Sequence, residues 1–138
     1  KINVKLYILG NKSLKYKRYW LKTHFSSKKN YLKFLKNSLA LVVPSNESYG
    51  SKIKIIEALC YGVPVITSKI GLTGITRINK YQPLISKDNN KSIVKLVEQI
   101  YNNKKFYSLK AEKNKQEYIK RYDIKHNLNR LKNKIKSI

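Results

Sequence analysis

The chain has 138 residues, of which 31 are Lys or Arg and 7 are Asp or Glu, so its formal net charge is +24. This length suits one domain with a buried core. The charge would attract polyanions such as nucleic acid, anionic lipid or phosphorylated small molecules. The alternative, which the excess of Lys over Arg favours, is that an AT-rich coding sequence enriches Lys together with Asn and Ile. Because Cys60 is the single cysteine, an internal disulfide and a cysteine-based metal site are excluded. No apolar run approaches the roughly 18 residues of a membrane-spanning helix.

The first part of the chain predicts a strand, a helix, a short strand and a second helix. Alternating apolar residues over 2–10 indicate the strand. Residues 11–22 follow as a helix with Leu21 among its anchors, and residues 23–25 as a short strand. Residues 26–38 have a helical apolar face, and Ser26 or Ser27 is the expected N-cap. Since the chain starts at Lys1 with a strand almost at once, we expect an internal piece of a longer protein.

The middle of the chain alternates strands and helices. The apolar run of residues 39–44 is typical of a strand covered on both faces. Residues 51–61 predict a helix that ends at Gly62, with Ile53, Ile56 and Cys60 on one apolar face and Ile55 and Leu59 beside it. Residues 63–67 predict another buried strand, and residues 68–74 a loop.

A last strand is expected over residues 81–86 and an amphipathic helix over 89–103. Residues 106–138 predict a charged helical tail with a break near residues 122–127. Apolar strands that alternate with helices indicate an α/β fold: a doubly wound, Rossmann-like, mostly parallel sheet flanked by helices. We predict a single domain over residues 1–138.

The turn after the strand at 39–44 has the features of an anion site. Ligands of open parallel sheets lie at the carboxyl ends of strands, where helices begin. Gly50 allows a ligand to approach the backbone closely, and the free N–H groups near Ser51, Lys52 and Ile53 favour an anion. Lys52 and Lys54 oppose the helix dipole unless an anion binds there. We therefore predict a phosphate site here, while each lysine alone is equally typical of a solvated surface.

Glu57 lies among apolar residues in a part of the chain where acids are rare. Glu47 and Glu57 are the only acids before Asp88. A carboxylate in apolar surroundings needs a partner. One alternative is an ion pair with Lys54, three residues earlier. The other is a ligand with paired hydroxyls, such as a ribose, because a carboxylate accepts two hydrogen bonds at once.

The segment "VVPSNESYGSKIKIIEALCYGVPVITSKIGLTGI" resembles the nucleotide-sugar half of glycosyltransferase family 4, the glycosyl transferases group 1 with the GT-B fold. The matching pieces are Pro44-Ser45 after an apolar strand, the helix with Glu57-Ala58-Leu59, Gly62-Val63-Pro64-Val65, Thr67 and Gly71. A weaker resemblance extends over the whole chain.

The resemblance implies a hexosyltransferase-like, retaining transfer of a sugar from a nucleotide diphosphate sugar to an acceptor hydroxyl. It implies that Glu57 binds the ribose and that the amides after Gly50 hold the diphosphate of a UDP- or GDP-linked sugar. It requires no cofactor and no metal. Glu47 resembles the first glutamate of the family's E-x7-E pair and is the candidate catalytic residue, although nine residues separate it from Glu57 here.

The opening strand and helix of this half, and the N-terminal domain that binds a carbohydrate or lipid-linked acceptor, have no counterpart before Lys1. Because transfer needs donor and acceptor held together, we expect this piece alone to be inactive.

Other functions were weighed against this interpretation. Lys interleaved with Tyr is compatible with a basic nucleic-acid-binding module, the Lys-rich tail with an anionic membrane surface, and the whole chain with an inactive glycosyltransferase remnant. His24 and His126 form no metal motif, and Ser45 and Ser48 lack the partners of a hydrolase triad. Cys60 is expected in the core. A cytoplasmic location, peripheral to the membrane in one alternative, fits the cysteine usage.

Overall fold

The computed structural model describes residues 4–9, 21–24, 27–45, 52–75, 83–87 and 90–136. The described residues group into two compact units, one up to residue 38 and one from Leu39 onward. Each unit is considered by itself, and the assignment of a single domain over the whole chain stays a prediction.

The first unit contains two parallel strands and a helix. Strand β1 (Leu6–Leu9) pairs with β2 (Leu21–His24), and α1 (Lys28–Lys36) follows. The β1 prediction is confirmed, whereas Leu21 begins a strand and is not the helical anchor that the pattern predicted. Residues 10–20 and Phe25, which carried the rest of those predictions, lie outside the described residues.

Helix α1 begins where its sequence predicts. Ser27 is the N-cap, and its hydroxyl accepts a hydrogen bond from the backbone N–H of Asn30 at 3.4 Å. This bond satisfies one of the N–H groups that the first turn of a helix leaves unpaired. Leu35 is buried. The ring centroids of Phe34 and Tyr7 are 5.3 Å apart. The Tyr7–Phe34 contact therefore joins β1 to α1 within this unit.

The second unit is a parallel sheet flanked by helices, with a helical C-terminal stretch, as the sequence predicts. The strand order is β3-β4-β5 and both pairings are parallel. Its elements are β3 (Leu41–Val43), α2 (Ile53–Cys60), β4 (Val65–Ser68), a 3-10 turn (Ile70–Leu72), β5 (Leu84–Ser86), α3 (Asn90–Asn102), α4 (Lys104–Tyr122) and α5 (Ile124–Lys136). The 3-10 turn lies in the segment that was predicted as a loop.

Strand β4 is the centre of the core, since all four of its residues are buried. Helix α2 covers the sheet with Ile55, Ala58 and Leu59, which are all buried. The predicted inward face of α2 was wrong for Ile53, whose side chain is 56% exposed, and Cys60 is half-buried and not a full core residue. Ile53 therefore lies on the side of α2 that faces away from the sheet.

The end of α2 is fixed by a glycine, as predicted. Gly62 has a φ of 69°, in the left-handed region, where a side chain is unfavourable. The N–H of Gly62 donates to the carbonyl of Leu59 at 3.2 Å, and that of Val63 to the carbonyl of Ala58 at 2.9 Å. These two bonds make a Schellman motif, which ends the helix and directs the chain into β4.

Helix α4 packs against α2 through Tyr118, whose side chain is 1% exposed. The Tyr118 hydroxyl has no hydrogen-bond partner within the described part of the chain, and burial raises the pKa of Tyr118 above 10.0. A cavity of about 220 Å³ lies beside it, lined by Val65 and Leu84 at the amino ends of β4 and β5. The helical tail breaks at Asp123, inside the predicted interval. Within the described ranges, no helix combines the length and apolarity needed to cross a membrane.

Candidate functional site

The residues predicted to bind a ligand divide into two groups. Lys52, Ile53, Lys54 and Glu57 are described and belong to α2 or its N-cap. Gly50, Ser51 and the candidate catalytic Glu47 lie outside the described residues, so their predicted roles stay predictions. The site can therefore be built from its helix and from the ends of the strands.

Lys52 joins the start of α2 to the end of β3. It is the N-cap residue, and its side chain makes no capping hydrogen bond. Its Nζ instead donates to the hydroxyl of Ser45 at 3.4 Å. Ser45 follows β3 directly after Pro44, so the ammonium group lies at the carboxyl edge of the sheet. A cation and a helix N-terminus at this edge both favour an anion.

Three hydroxyl groups hold the carboxyl ends of the strands together. Thr67 donates to the carbonyl of Val43 at 2.8 Å, Ser68 to the carbonyl of Ser45, and Ser86 to the carbonyl of Thr67 at 3.4 Å. All three donors are buried, where an unpaired hydroxyl is costly. These contacts fix Ser45 relative to β4 and β5.

This set of hydroxyls was not predicted from the sequence. From the sequence, Ser45 is a candidate only as a nucleophile, Thr67 only through the family resemblance, and Ser68 and Ser86 carry no prediction. The available signal was a Ser or Thr at the end of each apolar strand. Such a pattern becomes a prediction only when the strands are known to lie side by side in one register.

Gly71 fits closely under the same edge. Its N–H donates to the Ser68 hydroxyl at 3.0 Å. A Cβ placed on Gly71 would overlap the Thr67 Oγ1 and lie 3.4 Å from the Cβ of Ser45. The 3-10 turn after β4 therefore approaches the sheet edge only because residue 71 has no side chain.

Ile53 and Glu57 lie one turn apart on the outward side of α2. Ile53 is exposed and Glu57 half-buried. Over the described residues, no hydrogen bond and no ion pair of Glu57 is found, so the structural pairing with Lys54 does not form. Lys54 is exposed. The exposed Ile53 and the half-buried Glu57 therefore lie on the side of α2 that faces away from the sheet, in the helix whose N-cap is Lys52.

The carboxylate of Glu57 acts on the neighbouring thiol. Burial, and then the negative charge of Glu57, raises the pKa of Cys60 above its ordinary value of 9.0. The thiol form is therefore favoured at neutral pH, which is the opposite of the thiolate that a nucleophilic cysteine requires. Cys60 accordingly belongs to the helix packing and not to the chemistry of the site. Among the described residues, no His, Cys, Asp and Glu side chains cluster as a metal site.

The profile of the family Glycosyl transferases group 1 matches residues 1–103. No curated protein and no solved structure matches the chain. The match covers the first unit, all three strands of the second unit and every described residue of the candidate site. Family membership supports glycosyltransferase activity and, in general terms, a nucleotide-sugar donor and an acceptor as substrates. On this evidence, the chain belongs to the family Glycosyl transferases group 1.

Proposed function

We propose that this chain binds the nucleotide diphosphate part of a sugar donor, UDP- or GDP-linked, for a retaining hexosyl transfer. The observation that carries the proposal is the meeting of Lys52 with Ser45, which puts a cation and the start of α2 at the carboxyl edge of a parallel sheet. In open α/β sheets this edge is where ligands bind. Gly50 and Ser51, the predicted contacts that precede Lys52, extend the same anion site.

The diphosphate lies against the amides of the first turn of α2, including those of Ile53 and Lys54. Lys52 and Lys54 offset the charge that builds up on the diphosphate as the sugar leaves. The bond from the anomeric carbon to the diphosphate oxygen breaks, a bond from that carbon to the acceptor oxygen forms, and the acceptor proton leaves with the diphosphate. Stabilising charge at a fixed position is the contribution expected of such groups.

Glu57 receives the ribose. Its carboxylate forms no hydrogen bond or ion pair with the described residues and can accept two hydrogen bonds from a pair of hydroxyls. Ile53, one turn earlier and 56% exposed, offers the apolar contact on the same side of the helix. Glu47 is proposed to lie near the donor sugar, on the basis of the resemblance alone.

The test is binding of UDP and GDP to the chain, measured by isothermal titration calorimetry and by the melting temperature. A nucleotide that binds the folded chain raises its melting temperature. We expect Glu57→Gln to weaken binding about tenfold, since the hydrogen bonds to a charged acceptor are lost. Glu98→Gln, an exposed acid on α3, is the matched control and leaves binding unchanged.

Two further measurements separate the roles of the residues. The 2′-deoxy nucleotide binds wild type more weakly than the ribonucleotide does, and Glu57→Gln removes that difference. Lys52→Met weakens binding of the nucleoside diphosphate more than binding of the nucleoside. Lys95→Met on α3 makes no such difference. If neither UDP nor GDP binds, the proposed function is wrong; if Glu57→Gln leaves the 2′-deoxy difference intact, the ribose assignment is wrong.

A further inference from the structure

Helix α5 carries an exposed apolar stripe, formed by Leu128, Leu131 and Ile135. Their exposed fractions are 50%, 55% and 62%. Spacings of three and four residues place the three side chains on one face of the helix. Burial of such residues is a main source of stability, and their exposure in a row indicates a face that takes an apolar partner.

The charges of α5 are all of one sign. Its sequence contains Lys and Arg but no Asp or Glu. At 100° per residue, Lys132 and Lys134 fall on the two borders of the apolar stripe, and both are exposed. Long lysine side chains at such borders bury their stems and keep the ammonium group in a polar layer.

The charge and the stripe together select the partner. A second copy of this chain would bring two α5 helices without acids, each on a body of charge +24, into repulsive contact. A nucleic acid would neutralise the lysines through its phosphates but would leave the aliphatic stripe in water. An anionic bilayer provides acyl chains for the stripe and negative headgroups for its borders.

We propose that α5 lies along the surface of an anionic bilayer, with the apolar stripe at the headgroup and acyl boundary and Lys132 and Lys134 at the lipid headgroups. Two local hydrogen bonds order the junction between the end of α4 and the start of α5. The N–H of Asn127 donates to the carbonyl of Asp123 at 3.1 Å, and its side-chain amide to the carbonyl of Arg121 at 2.9 Å. Because α5 continues directly from α4, which packs on α2, binding through α5 brings the second unit to the membrane.

The test is cosedimentation of the full chain with vesicles of phosphatidylcholine alone and of phosphatidylcholine with about 30% phosphatidylserine. We expect binding to the anionic vesicles only. Leu128→Ser/Leu131→Ser/Ile135→Ser lowers the partition coefficient by about tenfold or more. Lys132→Gln and Lys134→Gln each lower it about fivefold. Since all five side chains are exposed, these variants keep their fold, which circular dichroism checks.

The matched control is Val94→Ser on α3, where an aliphatic side chain of similar exposure, 54%, is removed outside α5. It leaves the partition coefficient unchanged. The proposal is wrong if anionic vesicles do not bind the chain or if they bind the stripe variant as tightly as wild type. It is also wrong if wild type forms a dimer that the stripe variant loses, or if the stripe variant loses affinity for duplex DNA but not for the anionic vesicles.

Discussion

Glu57 and Cys60 provide a measurement of the site that needs no ligand. Burial, followed by the Glu57 charge, raises the pKa of the Cys60 thiol, so alkylation by iodoacetamide is slow near pH 8 because the thiolate is the reactive form. Glu57→Gln removes the second of these causes, lowers the pKa and speeds alkylation. Because Cys60 is the single cysteine, the rate of mass increase reports on this thiol alone.

The pH dependence of the alkylation rate shows the direction in which Glu57 shifts the pKa of Cys60. Wild type and Glu57→Gln differ in rate below the raised pKa and converge well above it, where both thiols are ionised. Glu98→Gln on α3 serves as the control and keeps the wild-type profile. An identical profile for wild type and Glu57→Gln would mean that the carboxylate lies too far from the thiol to act on it.

At the scale of elements, the 3-10 turn packs so closely against β4 that residue 71 has no room for a side chain. Gly71→Ala places a Cβ against the Thr67 Oγ1, whose hydrogen bond to the Val43 carbonyl joins β4 to β3. Forcing an extra methyl group into such packing costs about 1–3 kcal/mol. We expect a loss of that size in the free energy of unfolding, measured with urea.

A double-mutant cycle with Thr67→Ala isolates the contact. Thr67→Ala alone loses the hydrogen bond to β3 and removes the atom that the new Cβ would meet. The double variant should therefore be more stable than the sum of the two single changes predicts. Gly74→Ala is the comparison, because a Cβ there meets no atom within 4 Å and its cost comes from a φ of 78° alone. Additive effects of Gly71→Ala and Thr67→Ala would refute the overlap.

The elements of the second unit show which signals the sequence carries. The apolar run of β4 and the glycine after α2 are local signals, and both predictions are confirmed. The inward face of α2 was mistaken because this helix is apolar on most of its sides, so its periodicity does not decide its rotation. Contacts with α4 and with the sheet bury Ile55, Ala58 and Leu59 of α2, and neither contact has a local signature in α2.

The 3-10 turn and the hydroxyl contacts were missed for related reasons. A single 3-10 turn has no periodic pattern, and the bonds of Ser68 and Thr67 reach residues 23 and 24 positions earlier. Such bonds depend on sheet register, which is not encoded in either segment alone. The sequence predicts the position of Glu57 on α2. It does not decide whether Glu57 pairs with Lys54, because that depends on side-chain geometry.

At the scale of the whole molecule, charge is the dominant property. An ion pair joins Lys115 and Glu112 of α4 at 2.9 Å, where the Lys115 side chain is 30% exposed and that of Glu112 59%. A pair of this kind contributes little to stability. With 31 cations and only 7 acids in the sequence, most cations have no acid to pair with, and their mutual repulsion acts against the compact state.

This balance predicts opposite effects of salt on folding and on binding. Raising NaCl from about 10 to about 150 mM shortens the Debye length from about 30 to about 8 Å. Repulsion among the lysines is then screened, and the melting temperature of the free chain should rise. The affinity for UDP or GDP should fall over the same range, because attraction of the diphosphate to Lys52 and Lys54 is screened as well. Calorimetry at each salt concentration measures both quantities. A melting temperature that fell with added NaCl would mean that attractive ion pairs outweigh repulsion, contrary to the charge balance of the chain.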